Sequence, residues 1–171
     1  LRREYHLPII GVVEPTAAQA ARATKSGRIG LIATAASIRS GAYERKIAAQ
    51  RPGATVYGKA CPLFVPLVEN GRFQVGDPVI ETVAREYLQS MQDADVDTLI
   101  LGCTHYPLLS DVIGHIMGPD VTLINSGREA ARALQALLAD SDCLNESQAH
   151  GDTSYFVSDT VDVFEEMAGL F

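Results

Sequence analysis

The sequence has few of the residues on which several classes of protein depend. It contains three cysteines, Cys61, Cys103 and Cys143, among 171 residues, which is an odd number and too few for a disulfide scaffold. Tryptophan is absent, and 14 basic residues stand against 21 acidic ones, giving a formal charge of -7. This balance argues against nucleic acid or an anionic membrane surface as a partner.

Long apolar runs are also missing. No stretch approaches the roughly 18 apolar residues that a membrane span requires, and the first residues, LRREYHLPII, do not resemble a secretory signal. We therefore expect a cytoplasmic protein whose thiols stay reduced. Because 47% of the residues are hydrophobic, the chain has enough apolar side chains for a packed domain.

Short β-rich runs alternate with helical stretches along the whole chain, which predicts an α/β fold with a mostly parallel sheet. The runs RIGLIA and DTLIL are apolar without alternation, as expected of central strands that are covered on both faces. Strands are predicted at roughly 8–13, 28–34, 54–58, 97–102, 121–124 and 153–158.

Helices are predicted between these strands. The helix after Asp77 has the clearest signals, since Asp77 can cap it and Pro78 suits its first turn. Its buried stripe is predicted to contain Val79, Val83, Tyr87 and Met91. The other helices are predicted after Pro15, from Ser37 to about residue 50, and near 108–117, 127–139 and 160–170.

The first turn that could bind a ligand is ATAAS at 33–37. In parallel sheets, ligands bind at the carboxyl ends of strands, where backbone amides and helix N-termini point outward. The hydroxyls of Thr34 and Ser37 suit a carboxylate at such a turn. Ser37 is equally suited to capping the helix that follows, so both interpretations stay open.

The second turn is GCTHYP at 102–107, after the apolar run DTLIL. A helix N-terminus and a nearby imidazole both make a thiol more reactive, and His105 stands two residues after Cys103. The alternatives are a small buried cysteine and a core histidine. A zinc site is a weaker interpretation, because Cys103 and His105 supply only two of the four ligands that a structural site needs.

The other two cysteines give no comparable signal. Cys61 precedes the bulky apolar run PLFV and is predicted to pack in the interior. Cys143 lies with His150 in the polar stretch 140–152, which is predicted to be an exposed connection.

Four segments together resemble one enzyme family. The segment LILGCTHYPLL at 99–109 closely resembles the second-cysteine motif of glutamate racemases. CPLFVPLVENGRF at 61–73, IGLIATAASIRSGAY at 29–43 and INSGREAARAL at 124–134 resemble further motifs of that family. They occur in the family order and cover nearly the whole chain, so the chain resembles the aspartate/glutamate racemase superfamily.

The resemblance implies a reaction and a set of residues. This family interconverts L- and D-glutamate without a cofactor or a metal, supplies D-glutamate for peptidoglycan, and places one cysteine on each face of the α-carbon. Cys103 resembles the second of these thiols. His105 resembles its acid–base helper, and Glu69 resembles the carboxylate on the same side of the site, although a carboxylate beside Gly71 would otherwise be expected to be solvated.

The family also suggests substrate-binding residues. Thr34, Ser37 and Thr104 resemble the positions whose hydroxyls or amides hold the carboxylates of glutamate. The sequence departs from the usual pattern at Ser37, where the family has Thr, and at Asn125, where Asp is usual. Serine keeps the hydroxyl, so we expect binding to survive.

The family fold contains two Rossmann-like halves that face each other across the substrate, one inserted within the other. On that model, residues 1–11 end the first pass through one half, 12–125 form the complete inserted half, and 126–171 return to the first. The Ala-Cys-Asn-Thr run of the first family thiol does not precede LRREYH. We therefore expect a chain that starts beyond that thiol and is nearly inactive alone. Because it would expose a sheet edge and apolar surface, we also expect self-association, for example as a homodimer, segment swapping or reduced stability.

Two other functions stay open at this stage. An aspartate racemase of the same superfamily would share the fold and the paired thiols, although the HYP continuation and the CPLFVPLVENG run favour glutamate. A non-catalytic binding module would keep the fold and lack the reaction.

Overall fold

The computed structural model describes residues 4–5, 8–145, 147, 149, 151–152, 154–156 and 158. Four parallel strands form one sheet in the order β2-β1-β3-β4. They are β1 (Arg28–Ala33), β2 (Thr55–Ala60), β3 (Thr98–Gly102) and β4 (Thr122–Asn125). The α/β fold with a parallel sheet is thus confirmed, and the two runs without alternation, β1 and β3, occupy its centre.

Within the described residues, seven α-helices and one 3-10 helix flank the sheet. The α-helices are α1 (Val13–Ala23), α2 (Ala35–Ser40), α3 (Ala42–Gln50), α4 (Phe64–Glu69), α5 (Pro78–Asp93), α6 (Ser110–Met117) and α7 (Ser126–Asp140). The 3-10 helix (Tyr106–Leu109) precedes α6.

Each face of the sheet has its own apolar core. Alternate residues of β1 point in opposite directions, so that Ile32 packs with α4, α5 and α6 while Ile29 and Leu31 pack with α1 and α3. All three side chains are fully buried. Burial on both faces explains why β1 is apolar from Ile29 to Ala33.

One predicted strand is wrong. Residues 8–12 are not in a strand, and α1 already begins at Val13. The apolar run at 8–13 has no neighbouring strand with which to pair in the described sheet, and a short apolar segment forms a strand only when its backbone is paired. Glu14 in the first turn favours the helix instead.

The helices also differ in detail from the prediction. The segment 37–50 forms two helices, because Gly41 adopts a left-handed conformation (φ 59°) between them. In α5, Asp77 caps the helix as predicted, but Val79 is 40% exposed. The buried stripe of α5 consists of Ile80, Ala84, Tyr87, Leu88 and Met91.

The C-terminal predictions fall largely outside this description. The helix predicted near 160–170 and His150 lie outside the described residues, and residues 154–156 and 158 are not in a strand. Among the residues that are described, no helix combines the length and apolar character needed to cross a bilayer.

Candidate active site

The candidate site lies where the connections of the sheet change direction. β1 is followed by β2 on one side, whereas β3 returns to the other side of β1. Ala33 pairs with Gly102 at the carboxyl ends of β1 and β3, so the turns that begin with Thr34 and Cys103 are neighbours. A switch point of this kind is where ligands bind in open α/β sheets.

Cys103 stands at the mouth of a cavity of about 440 Å³. The turn after β3, the first residues of α7 and the side chains of Val12 and Tyr43 form its walls. Cys103 is half-buried, in contrast to the fully buried residues that precede Gly102 in β3. Cys103 therefore borders the cavity on one side and packs against the apolar core on the other.

The turn brings two polar side chains close to this thiol. Nδ1 of His105 lies 4.0 Å from Sγ of Cys103 and 3.3 Å from Oγ1 of Thr104. The 3-10 helix that starts at Tyr106 follows directly, with Pro107 in its first turn. Proline is compatible with that position because a first-turn residue has no intrahelical partner for its N–H.

Glu69 reaches the same imidazole from the opposite side. Oε1 of Glu69 lies 3.3 Å from Nε2 of His105, and the two side chains are 47% and 21% exposed, respectively. Glu69 is the last residue of α4, a helix that the sequence analysis did not identify. The carboxylate is half-exposed, as the solvated alternative requires, but it also contacts His105.

The geometry constrains the proton on His105. A carboxylate can only accept a hydrogen bond, so the contact with Glu69 is favourable when Nε2 carries a proton. Nδ1 is then able to accept a proton from the thiol of Cys103 or a hydrogen bond from Thr104. His105 thus contacts Glu69 through Nε2 and faces Cys103 through Nδ1, so its imidazole can exchange a proton with the thiol.

Thr34 and Ser37 occupy the adjacent turn and contact each other. Thr34 caps α2, because its Oγ1 accepts a hydrogen bond from the backbone N–H of Ser37 at 3.3 Å. The two hydroxyl oxygens are 3.1 Å apart. Ser37 is therefore not the cap, and neither residue lines the cavity at Cys103.

The sequence did not predict that Tyr43 lines the cavity, and it left Asn125 unexplained. Tyr43 was assigned only to a helix face, yet it lines the cavity while its ring is buried. Burial, together with the charge of Cys103, raises the pKa of its phenol. Asn125 caps α7 by accepting a hydrogen bond from the N–H of Arg128 at 3.1 Å, a role that Asp fills equally well.

The other two thiols are far less suited to catalysis. Cys61 is fully buried, and burial raises the pKa of its thiol to about 12, although the charge of Lys59 acts in the opposite direction. Cys143 is exposed and donates to the carbonyl oxygen of Ser141 at 3.3 Å. Within the described residues, no three His, Cys, Asp or Glu side chains come together as metal ligands.

Comparison with known proteins assigns the chain to a family. The model of the Asp/Glu/Hydantoin racemase family matches residues 1–134. The chain belongs to this family. A glutamate racemase of Geobacter metallireducens is 43% identical over 171 residues, which is the whole of this chain and 63% of that relative.

Solved structures of the racemase family share the fold. A glutamate racemase isoform of Bacillus anthracis superposes with a TM-score of 0.89 at 34% identity, covering 98% of this chain and 62% of that one. A glutamate racemase of Francisella tularensis in complex with D-glutamate gives 0.74 at 35% identity, covering 84% and 52%. The chain therefore spans less than two thirds of the length of these racemases.

Proposed function

We propose that this protein is a glutamate racemase in which Cys103 exchanges a proton with the α-carbon of glutamate. The observation that carries the proposal is the pair of contacts that His105 makes with Glu69 and Cys103. Cys103 in turn lines the cavity at the switch point of the sheet. The resemblance of the LGCTHYP segment to the second-cysteine motif agrees with this position.

The proton transfer follows from the geometry. The thiolate of Cys103 takes the α-proton of one enantiomer, and the electron pair of the broken C–H bond moves onto the substrate carboxylate. Inversion is complete when an acid on the opposite face returns a proton to the α-carbon. His105 accepts the proton of the resting thiol through Nδ1, while Glu69 keeps the imidazole oriented through Nε2.

Hydroxyls at the two neighbouring turns are proposed to bind the substrate. Thr34 and Ser37 follow β1, and Thr104 follows Cys103, so all three lie at the carboxyl edge of the sheet. Glutamate, with two carboxylates, can contact both turns, whereas aspartate is shorter by one methylene. In the cell, the product would supply D-glutamate for peptidoglycan in the cytoplasm.

The division of the chain into 1–11, 12–125 and 126–171 is proposed as well. All four described strands lie within the middle segment and form their own two cores. Pro8 and Ile10 share an apolar groove with Leu134 and Leu137 of α7. The first and third segments thus meet each other, as they would in a half into which the middle segment is inserted.

Two measurements on the complete protein test the proposed function. Circular dichroism follows the loss of optical activity of L-glutamate, and NMR in D2O follows deuterium incorporation at the α-carbon. We expect both to occur in the wild type and to fall by at least about 100-fold in Cys103→Ala. Cys143→Ala is the matched control, because that thiol is exposed and far less suited to catalysis.

Other outcomes would contradict the proposal. Faster conversion of aspartate than of glutamate would favour the shorter substrate. Binding of glutamate without exchange or inversion would favour a non-catalytic module, and full activity in Cys103→Ala would remove the thiol from the mechanism.

A further inference from the structure

Tyr106 connects the catalytic turn to the helix that carries Glu69. Its side chain is fully buried, and its hydroxyl donates a hydrogen bond to the carbonyl oxygen of Cys61 at 2.8 Å. Tyr106 directly follows His105, whereas Cys61 directly follows β2 and precedes α4. The hydrogen bond therefore joins the turn after β3 to the turn after β2.

An aromatic contact joins the same two elements. The ring of Phe64, the first residue of α4, lies edge-on to that of Tyr106, with centroids 5.3 Å apart and an interplanar angle of 90°. Glu69 ends the same helix, which has six residues. Phe64 and Glu69 lie at the two ends of the same short helix, so a displacement of α4 at Phe64 also displaces Glu69.

We propose that Tyr106 is a positioning residue that holds Glu69 against His105. The inference rests on the proposed function and adds a fully buried residue that does not line the cavity at Cys103. The contact, at 3.3 Å, joins the imidazole of His105, which is 21% exposed, to the carboxylate of Glu69, which is 47% exposed. The buried hydroxyl and ring of Tyr106 tie the elements that carry these two side chains to each other.

Tyr87 provides a matched control in the same region. Its ring also packs edge-on against Phe64, with centroids 5.2 Å apart, and its hydroxyl accepts a hydrogen bond from the N–H of Leu63 at 3.4 Å. Tyr87 thus binds the same turn before α4, but it belongs to α5, whereas Tyr106 directly follows His105. Removing either hydroxyl removes one hydrogen bond to the segment before α4, but the bond from Tyr106 starts beside His105 and the bond from Tyr87 starts in α5.

A double-mutant cycle on the complete protein tests this coupling. The variants are Tyr106→Phe, Tyr87→Phe, Glu69→Gln and the double variant of Tyr106 and Glu69. The first readout is the rate of deuterium exchange into glutamate, with kcat and KM determined separately. The second is the rate of alkylation of Cys103 by iodoacetamide at fixed pH in a Cys143→Ser background, which requires no racemase activity.

In the wild-type background, we expect Tyr106→Phe to lower kcat about 10-fold and to change KM less than about twofold. In the Glu69→Gln background, the same substitution should change kcat less than about twofold. The alkylation rate should show the same non-additive pattern. Tyr87→Phe should leave both rates within about twofold of the wild type. Equal effects of Tyr106→Phe with and without Glu69 would overturn the inference, as would a Glu69→Gln variant that alters neither rate.

The two proposals fail in distinguishable ways. If the wild type exchanges no α-proton of glutamate, the proposed function fails, while non-additive alkylation rates still support the positioning role. If Tyr106→Phe does not fold, Phe64→Leu replaces it, because this change removes the aromatic contact and keeps the hydroxyl. Additive effects of Phe64→Leu and Glu69→Gln would then overturn the inference.

Discussion

Glu69 ends α4 and His105 follows β3, yet Oε1 of Glu69 lies 3.3 Å from Nε2 of His105. Glu69 ends the helix that follows β2, and His105 lies in the turn that follows β3. A carboxylate in this position orients the imidazole and stabilises its protonated form after it has taken a proton from the thiol. The pair therefore links a surface carboxylate to the reactivity of Cys103.

Replacing Glu69 by Gln keeps the shape of the side chain and removes its charge. We expect deuterium exchange into glutamate to fall on the order of 10- to 100-fold, because a neutral amide stabilises the imidazolium less well. The free energy of unfolding should change little, since Glu69 is half-exposed. Glu86→Gln, on the exposed side of α5, is the control, and equal rates in the two variants would remove Glu69 from the site.

The three thiols should differ in their reaction with iodoacetamide. The thiol of Cys61 has a pKa of about 12 because it is buried, so it stays protonated between pH 7 and 9 and is also shielded from reagent. Peptide mapping by mass spectrometry should show alkylation of Cys103 and Cys143 in the native protein. In denaturant all three should react, and rapid modification of Cys61 in the native state would contradict its burial.

Gly102 leaves no space for a side chain before the catalytic turn. A Cβ at this position would lie 3.0 Å from the carbonyl oxygen of Ile32 and 3.0 Å from Cβ of Ala33. Gly102→Ala should therefore reduce the free energy of unfolding by about 1–3 kcal/mol and lower the exchange rate by displacing Cys103. Chemical denaturation measures the first effect.

Gly114 in α6 is the matched control for this substitution. Its nearest neighbour, Cδ1 of Leu123, would lie 3.9 Å from an added Cβ, which is an ordinary contact. Gly114→Ala should leave stability unchanged or raise it by up to about 1 kcal/mol, because alanine favours the helix. If both substitutions changed the free energy of unfolding by the same amount, close packing would not explain the glycine at position 102.

The sequence predicts the sheet and the catalytic turn because both depend on local patterns. After their first residues, Arg28 and Thr98, β1 and β3 contain no polar side chain, and Cys103 directly follows β3. The carboxyl edge of the sheet could therefore be located from the sequence alone. The cap at Asp77 was predictable for the same reason, since an N-cap requires one suitable side chain followed by helix-forming residues.

Other features depend on contacts that a local pattern does not contain. α4 was missed because Pro62 and Pro66 interrupt the apolar run, although Pro66 lies in the first turn of the helix, where proline removes no hydrogen bond. Tyr43 looked like a core residue because its spacing from Ile47 is helical, and only the arrangement of the turns shows that it also lines the cavity. The family resemblance placed Glu69 on the same side of the site as His105, but no pattern in the sequence predicted their contact.

Asp97 holds the turn that leads into β1. Its carboxylate accepts hydrogen bonds from the hydroxyl of Thr24 at 2.6 Å and from the backbone N–H groups of Lys25 and Ser26 at 2.7 and 2.6 Å. Partial burial acts to raise the pKa of Asp97, but the hydrogen bonds from Ser26, Thr24 and Lys25 outweigh it and hold the pKa well below the ordinary value.

Asp97→Asn should therefore destabilise the protein in a pH-dependent way. A carboxylate whose pKa is lowered on folding contributes its full stability above the unfolded-state pKa of 3.8, and this contribution is lost as the pH falls below that value. Near pH 7, we expect the variant to lose about 1–3 kcal/mol. Urea denaturation from pH 7 down to pH 3 should show the difference from wild type constant at first and then shrinking. Asp120→Asn, at an exposed position, should show neither effect, and a constant difference for Asp97→Asn down to pH 3 would mean that its charge is not what stabilises the turn.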